Sequence, residues 1–330
     1  MKQLLLLSII CLPMIASGCR SGEPTSSKKN GNKYLKCAGA GDDGVKEEIS
    51  IPPLKLTRKG STMEIKGVDS SVVTLGVLSG LNAPDAGTLS NIRYFLEQFK
   101  GARVQAIVVA GGLGGSKKDM LRLLEALAQA PVPILASPGA QENYTTLRGA
   151  IKESRLRFPQ LVDMTLVRKV SLRHVSILSL PGYFNAFYLE AAEQGCSYDK
   201  EDLETLAGLI DKNQTTVLLS ATPPRGQGPN AVDSGRGNVN IGDPALYAMM
   251  VESGIRFGLF GHVHESGGNV TTGDGKTPVA KGVWHDSLFL QAGAADAVPV
   301  PLSRGGQSSG MAHIVDFSGD RSRFRTLVAP

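Results

Sequence analysis

The chain has 330 residues, 20% of them charged, 42% hydrophobic and 5% aromatic, with a formal net charge of +5. That length holds one large α/β domain with a tail, or at most two domains. Part of the positive charge lies near the N-terminus, in Arg20, Lys28, Lys29, Lys33 and Lys36, and no basic run interleaved with aromatic residues points to nucleic acid as a partner.

Lys2 precedes an apolar run from Leu4 to Ile15, broken only by Ser8 and Pro13 and ending in Ala16-Ser17-Gly18-Cys19. The run is too short to span a bilayer comfortably. The pattern resembles a bacterial lipoprotein signal, although Leu is commoner where Ala16 stands. The resemblance implies cleavage after residue 18 and lipid chains on Cys19. The soluble body would then be held outside the cytoplasm at a membrane of the cell envelope, the outer membrane or cell surface rather than the inner membrane. The other reading is an ordinary secretory signal cleaved nearby. A basic tether beside an anionic membrane accounts for the charge of the tail. Cleavage leaves Cys37 and Cys196, which in an oxidising compartment either pair, tying the tail to the domain, or remain two free thiols.

Residues 19–50 are rich in Ser, Gly, Lys and Asn and read as a flexible linker; residues 51–330 form the domain. Leu54-Lys55-Leu56 and Met63-Glu64-Ile65 alternate around Lys59-Gly60-Ser61, predicting a small hairpin. From Val72 short β-branched runs alternate with amphipathic ones. Val72–Leu78 reads as a buried strand; Leu89, Ile92, Phe95, Leu96 and Phe99 follow at helical spacing. Val104–Val109 is the next strand, and Ser116 with Asp119 caps a helix carrying Met120, Leu123, Leu124 and Leu127. Further strands are expected at Val132–Leu135, Val175–Leu180, Thr215–Leu219 and Arg256–Phe260. Helices are expected over 199–211 and from Asp243-Pro244, with Asp as cap and Pro in the first turn, to Gly254. Short strands near Leu288, Ile314 and Phe324 close the chain. Strand–helix units followed by strands predict mixed sheets covered by helices.

In layered α/β proteins chemistry gathers on loops past the strand ends. Those loops read Ser79-Gly80-Leu81-Asn82, Ala110-Gly111-Gly112-Leu113, Ser137-Pro138-Gly139-Ala140-Gln141-Glu142, Ser220-Ala221-Thr222 and Gly261-His262-Val263-His264. In order and spacing they resemble the calcineurin-like metallophosphoesterases, whose motifs are Asp-x-His, Gly-Asp, Gly-Asn-His-Asp/Glu, a lone His, and Gly-His-x-His. The resemblance covers about Val72 to Gly267. It implies an α/β fold of two packed mixed β-sheets flanked by helices, a four-layer sandwich, and a dinuclear divalent metal centre (Mn, Fe or Zn) that hydrolyses phosphate esters.

The residues at most of those positions depart from the pattern. Gly80 and Asn82 stand for the first Asp and His, Gly112 for the bridging Asp, Ala140 and Gln141 for Asn and His, and Ala221 for the lone His; His262 and His264 remain. Hard divalent cations want oxygen ligands, and glycine cannot bridge two of them. Glutamine cannot serve as the acid that the matched His would supply. No cofactor is therefore expected. The expected function is that of a pseudoenzyme: a binding or scaffold module, with an envelope protein as its expected partner and an unknown small-molecule ligand.

Two other readings stay open. The histidine pair is either packed structurally or forms a residual mononuclear Zn or Ni site completed by water or a partner's side chain, with His285 as the third ligand if the chain supplies one; an active hydrolase would need Asp85, Glu142 or Asp243 to reach the imidazoles. The run Gly111–Lys118 precedes a helix but does not match a phosphate loop; Lys117, Lys118 and Arg225 would make the pocket friendly to small anions or nucleotides. The Gly/Asn-rich stretch from Gln227 to Asn240 is either a recognition surface or a solvent loop.

Overall fold

A computed structural model describes residues 35–37, 43–191 and 194–330. The expected signal peptide of residues 1–18 and the lipidation site Cys19 lie outside the described residues. In chain order the elements begin with strands β1 (Leu35–Lys36), β2 (Lys46–Ile51), β3 (Leu54–Lys59), β4 (Thr62–Lys66) and β5 (Val73–Leu78). Helix α1 (Ala86–Ala102), β6 (Ala106–Ala110), α2 (Lys117–Leu127), β7 (Ile134–Ser137), α3 (Tyr144–Ser154) and β8 (Leu161–Asp163) follow. Next come β9 (Lys169–Leu172), β10 (Val175–Leu180), β11 (Cys196–Ser197), α4 (Lys200–Ala207), β12 (Thr215–Ser220), α5 (Pro244–Glu252) and β13 (Phe257–Phe260). The chain closes with β14 (Val270–Thr271), β15 (Leu288–Gln291), β16 (Val300–Pro301), β17 (Gln307–Ser308), β18 (Met311–Ser318) and β19 (Arg321–Val328).

Two mixed sheets dominate, a six-stranded one in the order β19-β18-β5-β6-β7-β8 and a nine-stranded one in the order β14-β15-β13-β12-β10-β9-β4-β3-β2. The alternation of side chains along each strand makes the layers. Val73, Leu75, Val77, Ala106 and Val108 meet Val175, Ile177, Val217, Leu219, Phe257 and Leu259 in one core between the sheets. Ile107 and Val109 point the other way, onto Phe95 and Phe99 of α1 and Leu123 and Leu127 of α2. Leu178, Leu218 and Phe260 likewise meet Leu203 of α4 and Leu246 and Met250 of α5. Helix, sheet, sheet, helix is the expected four-layer sandwich.

The predicted hairpin is β3–β4. Ser116 caps α2 by accepting from the Asp119 amide, and Asp243 caps α5 by accepting from Ala245. The domain starts earlier than the composition indicates. Residues 46–50, assigned to the linker, form most of β2, paired antiparallel with β3. Four of its six side chains are polar, Ile49 is buried and Ile51 packs against the same core, and main-chain hydrogen bonds that composition does not register complete its place at the sheet edge. Upstream, β1 pairs with β11, and Cys37 is disulfide-bonded to Cys196, resolving the two alternatives for these thiols in favour of a bridge. Helix α3 and strands β8 and β9 are further elements that the apolar spacing does not predict.

Candidate functional site

β5, β6 and β7 run parallel, as do β10, β12, β13 and β15, so their C-terminal ends deliver a set of loops to one rim. A cavity of about 30 Å³ there is lined by Asn82, Gly112, Ala140, Gln141, Ala221, His262 and His264, together with Ser79, Gly111 and Glu190. Gly80 lies against it, because a Cβ built on Gly80 would stand 2.7 Å from Nε2 of His264. All the positions matched to the metal-ligand motifs therefore converge.

Backbone fills the place where carboxylates would stand. The amide of Gly80 donates to the Gly111 carbonyl at 3.1 Å, and those of Leu81 and Asn82 donate to the Gly112 carbonyl at 2.8 Å each. Gly80 and Gly112 have φ of +60° and +78°, in the left-handed region that glycine tolerates. A Cβ on Gly112 would stand 2.4 Å from Gly80 Cα. The two loops thus touch main chain to main chain, and neither Gly80 nor Gly112 has room for a side chain.

Glu142 fastens the second loop to the third. Its buried carboxylate accepts from the Gly139 amide at 2.8 Å and from the Leu113 amide. Burial pushes its carboxyl up, and these amides oppose that shift. Asp85 caps α1, accepting from the Thr88 amide at 2.9 Å, and Asp243 caps α5 while accepting from Tyr198 Oη at 2.8 Å. The three carboxylates proposed to swing toward the imidazoles are thus each engaged by backbone or tyrosine.

His262 occupies φ +69°, and its ring packs on Tyr183 and Tyr188 with centroids 4.7 and 6.2 Å away. Burial, reinforced by neighbouring His264, holds its imidazole down to about 4. Burial also lowers His264, opposed by the charges of Asp296, Glu265 and Glu190. Both shifts favour the neutral ring, the form that ligates a metal. Ligands are nevertheless too few: among the described residues no three His, Cys, Asp or Glu side chains are placed to hold an ion. The chain's donor set does not fit a dinuclear centre, which needs a bridging carboxylate where Gly112 stands.

Other expected contacts lie elsewhere. His285 bridges to Ser322, which pairs with Phe317, which in turn pairs with Val73 at the start of β5. It therefore sits at the far end of the sheet from His262. Lys117 is ion-paired with Glu153 on α3 at 2.7 Å, and neither it nor exposed Lys118 lines the cavity. Arg225 donates to the Gly242 carbonyl at 2.8 Å and lies 3.9 Å from buried Asp233. The three cations read as possible anion contacts are therefore not gathered at this cavity. The stretch from Gln227 to Asn240 is organised by Asp233, which accepts from Asn240 Nδ2 and the Gly242 amide, both at 2.8 Å.

Sequence reasoning passed over Asp296, Glu190 and the two tyrosines. Asp296 is buried and accepts from Asn82 Nδ2 at 2.6 Å. The strand-end rule that found the first five loops, extended to the strands ending at Leu180 and Gln291, reaches both missing segments.

No family model matches this sequence, and no curated protein matches it. Solved structures do. One superposes with a TM-score of 0.56 at 10% identity, over 78% of this chain and 99% of its own. The protein TT1561 of Thermus thermophilus superposes with 0.50 at 15% identity, over 78% and 99%. A dimetal phosphatase from Danio rerio reaches 0.47 at 12% identity, over 78% and 99%. At such identities the likeness is one of fold, the two-sheet α/β architecture described above.

Proposed function

We propose that this protein is a lipid-anchored binding module of the bacterial envelope that keeps a phosphoesterase fold without its metal chemistry. One observation carries the reading: the Gly80 and Gly112 backbones are in direct contact at the place where a bridging carboxylate would hold two cations. The two remaining histidines are packed against aromatic rings and backbone, which supports the structural reading of the pair over a residual mononuclear site. The extracytoplasmic, anchored setting is supported by the apolar run ending at Cys19 and by the Cys37–Cys196 bridge, since structural disulfides persist in oxidising compartments.

The purified protein is expected to leave p-nitrophenyl phosphate and bis-p-nitrophenyl phosphate intact with added Mn²⁺, and elemental analysis is expected to find no stoichiometric pair of metal ions. Turnover abolished by His264→Ala, or two tightly held ions per chain, overturns the reading. Metabolic labelling with an alkyne fatty acid tests the anchor separately: the label should be incorporated and should vanish in Cys19→Ser.

A further inference from the structure

The opposite end of the strands carries a second concavity, of about 760 Å³. It lies where α1 ends and where the chain enters β6 and β7. Leu96, Val104 and Val132 give it apolar walls, and Pro52 and Pro53 of the β2–β3 turn lie across from them. Its volume is in the range of small-ligand sites, about 300–1,000 Å³.

Charge at the rim is one-sided. Arg93, Lys100 and Arg103 stand against a single acid, Glu97. Some cations elsewhere are paired, as Arg155 is with Glu47 and Arg323 with Asp316. Among the described residues, none of these three cations has an ion pair or a side-chain hydrogen bond. Arg93 and Lys100 are seven residues apart on α1, so they line one helix face about 10 Å apart along the axis.

An apolar trough under an unpaired cationic rim is complementary to a molecule with a hydrocarbon body and one anionic end. We infer that this trough binds a single-chain anionic amphiphile, a long-chain carboxylate or phosphate monoester. Burial of the chain supplies affinity, and the rim fixes which end faces water. The trough is concave and takes in a single chain, whereas a bilayer surface is met by protruding apolar side chains, which favours a free amphiphile over a membrane surface.

The test uses the full mature chain and cis-parinarate, whose fluorescence rises in an apolar site. Saturable enhancement is expected, with displacement by oleate and by dodecyl phosphate but not by oleyl alcohol at the same concentration. Arg93→Glu with Lys100→Glu should weaken binding about tenfold or more, whereas Arg93→Lys should keep it. Both positions are exposed on a helix, and thermal unfolding checks that the variants fold. Leu96→Asp, in the apolar wall, provides a second variant independent of the cations. Absence of saturable binding overturns the inference, as does charge reversal without effect. Equal displacement by oleyl alcohol, or adsorption to phosphatidylglycerol vesicles without oleate competition, also overturns it.

Discussion

The side-chain amide of Asn82 donates to Oδ2 of Asp296 at 2.6 Å, joining the loop after β5 to the loop after β15 across 214 residues of sequence. Asp296 also accepts from the Val298 amide at 3.2 Å and, by its charge, opposes the effect of burial on His264. Asp296→Ala should therefore cost about 1–3 kcal/mol in urea unfolding, because a charged acceptor is lost and Asn82 keeps only its longer contact to the Gly80 carbonyl at 3.4 Å. In the same variant the His264 ring should titrate at lower pH than in the parent, read by NMR. An unchanged ring titration would place Asp296 outside the pocket's electrostatics.

Restoring the missing carboxylates should not restore chemistry. Gly112→Asp forces a side chain into left-handed backbone and onto the Gly80 main chain, at a cost of about 2–4 kcal/mol. The double variant Gly80→Asp with Gly112→Asp is expected to be strongly destabilised and inactive toward phosphate esters with Mn²⁺. A double variant as stable as the parent would show that the loops have room after all.

Acid should destabilise the fold through buried histidine. Burial holds His313 down to about 3, from an ordinary value near 6.5, with Lys281 and Arg304 adding to the shift. The unfolded chain thus binds more protons than the folded one between those values. Stability from this ring is complete above about pH 6.5 and is lost as pH falls through the window, with a slope approaching about 1.4 kcal/mol per unit. Buried carboxyls such as Glu142 are shifted up and run the opposite way. Comparing pH profiles of the parent and His313→Gln isolates the histidine contribution, since Gln retains a donor for the Ala292 carbonyl. Parallel profiles would be inconsistent with a neutral buried ring.

The bridge between Cys37 and Cys196 should stabilise the domain by about 2–4 kcal/mol. Dithiothreitol is expected to lower the Tm of the parent, and Cys196→Ser should start lower and ignore the reductant. A parent whose melting is insensitive to reduction contradicts this.

Lys117 and Glu153 are both about half exposed, so Lys117→Ala should change stability by no more than about 1 kcal/mol. Inorganic phosphate and ATP should leave the Tm of parent and variant alike unmoved. A phosphate-induced rise lost on this substitution would revive an anion-binding role for the start of α2.

Local signals settle much of this chain. The alternation of strands and helices follows from apolar spacing, and Ser116 and Asp243 stand at their helix starts because their side chains accept the first free amides. The five loops could be placed on one rim from their order, and the absence of carboxylates at Gly80 and Gly112 is a property of the sequence itself. Helix α3 was hidden because Thr145, Thr146 and Gly149 weaken its local preference, while its stability comes from packing Leu147 and Ile151 into the core under α2. Asp296, Glu190 and the Tyr183–His262 contact belong to segments far apart in sequence, and the pairing of β10, β12, β13 and β15 brings them together. Whether the emptied ligand positions leave a gap or close up was likewise a tertiary matter. Glycine permits both outcomes, and the main-chain hydrogen bonds from the loop after β5 to Gly111 and Gly112 decide for closure.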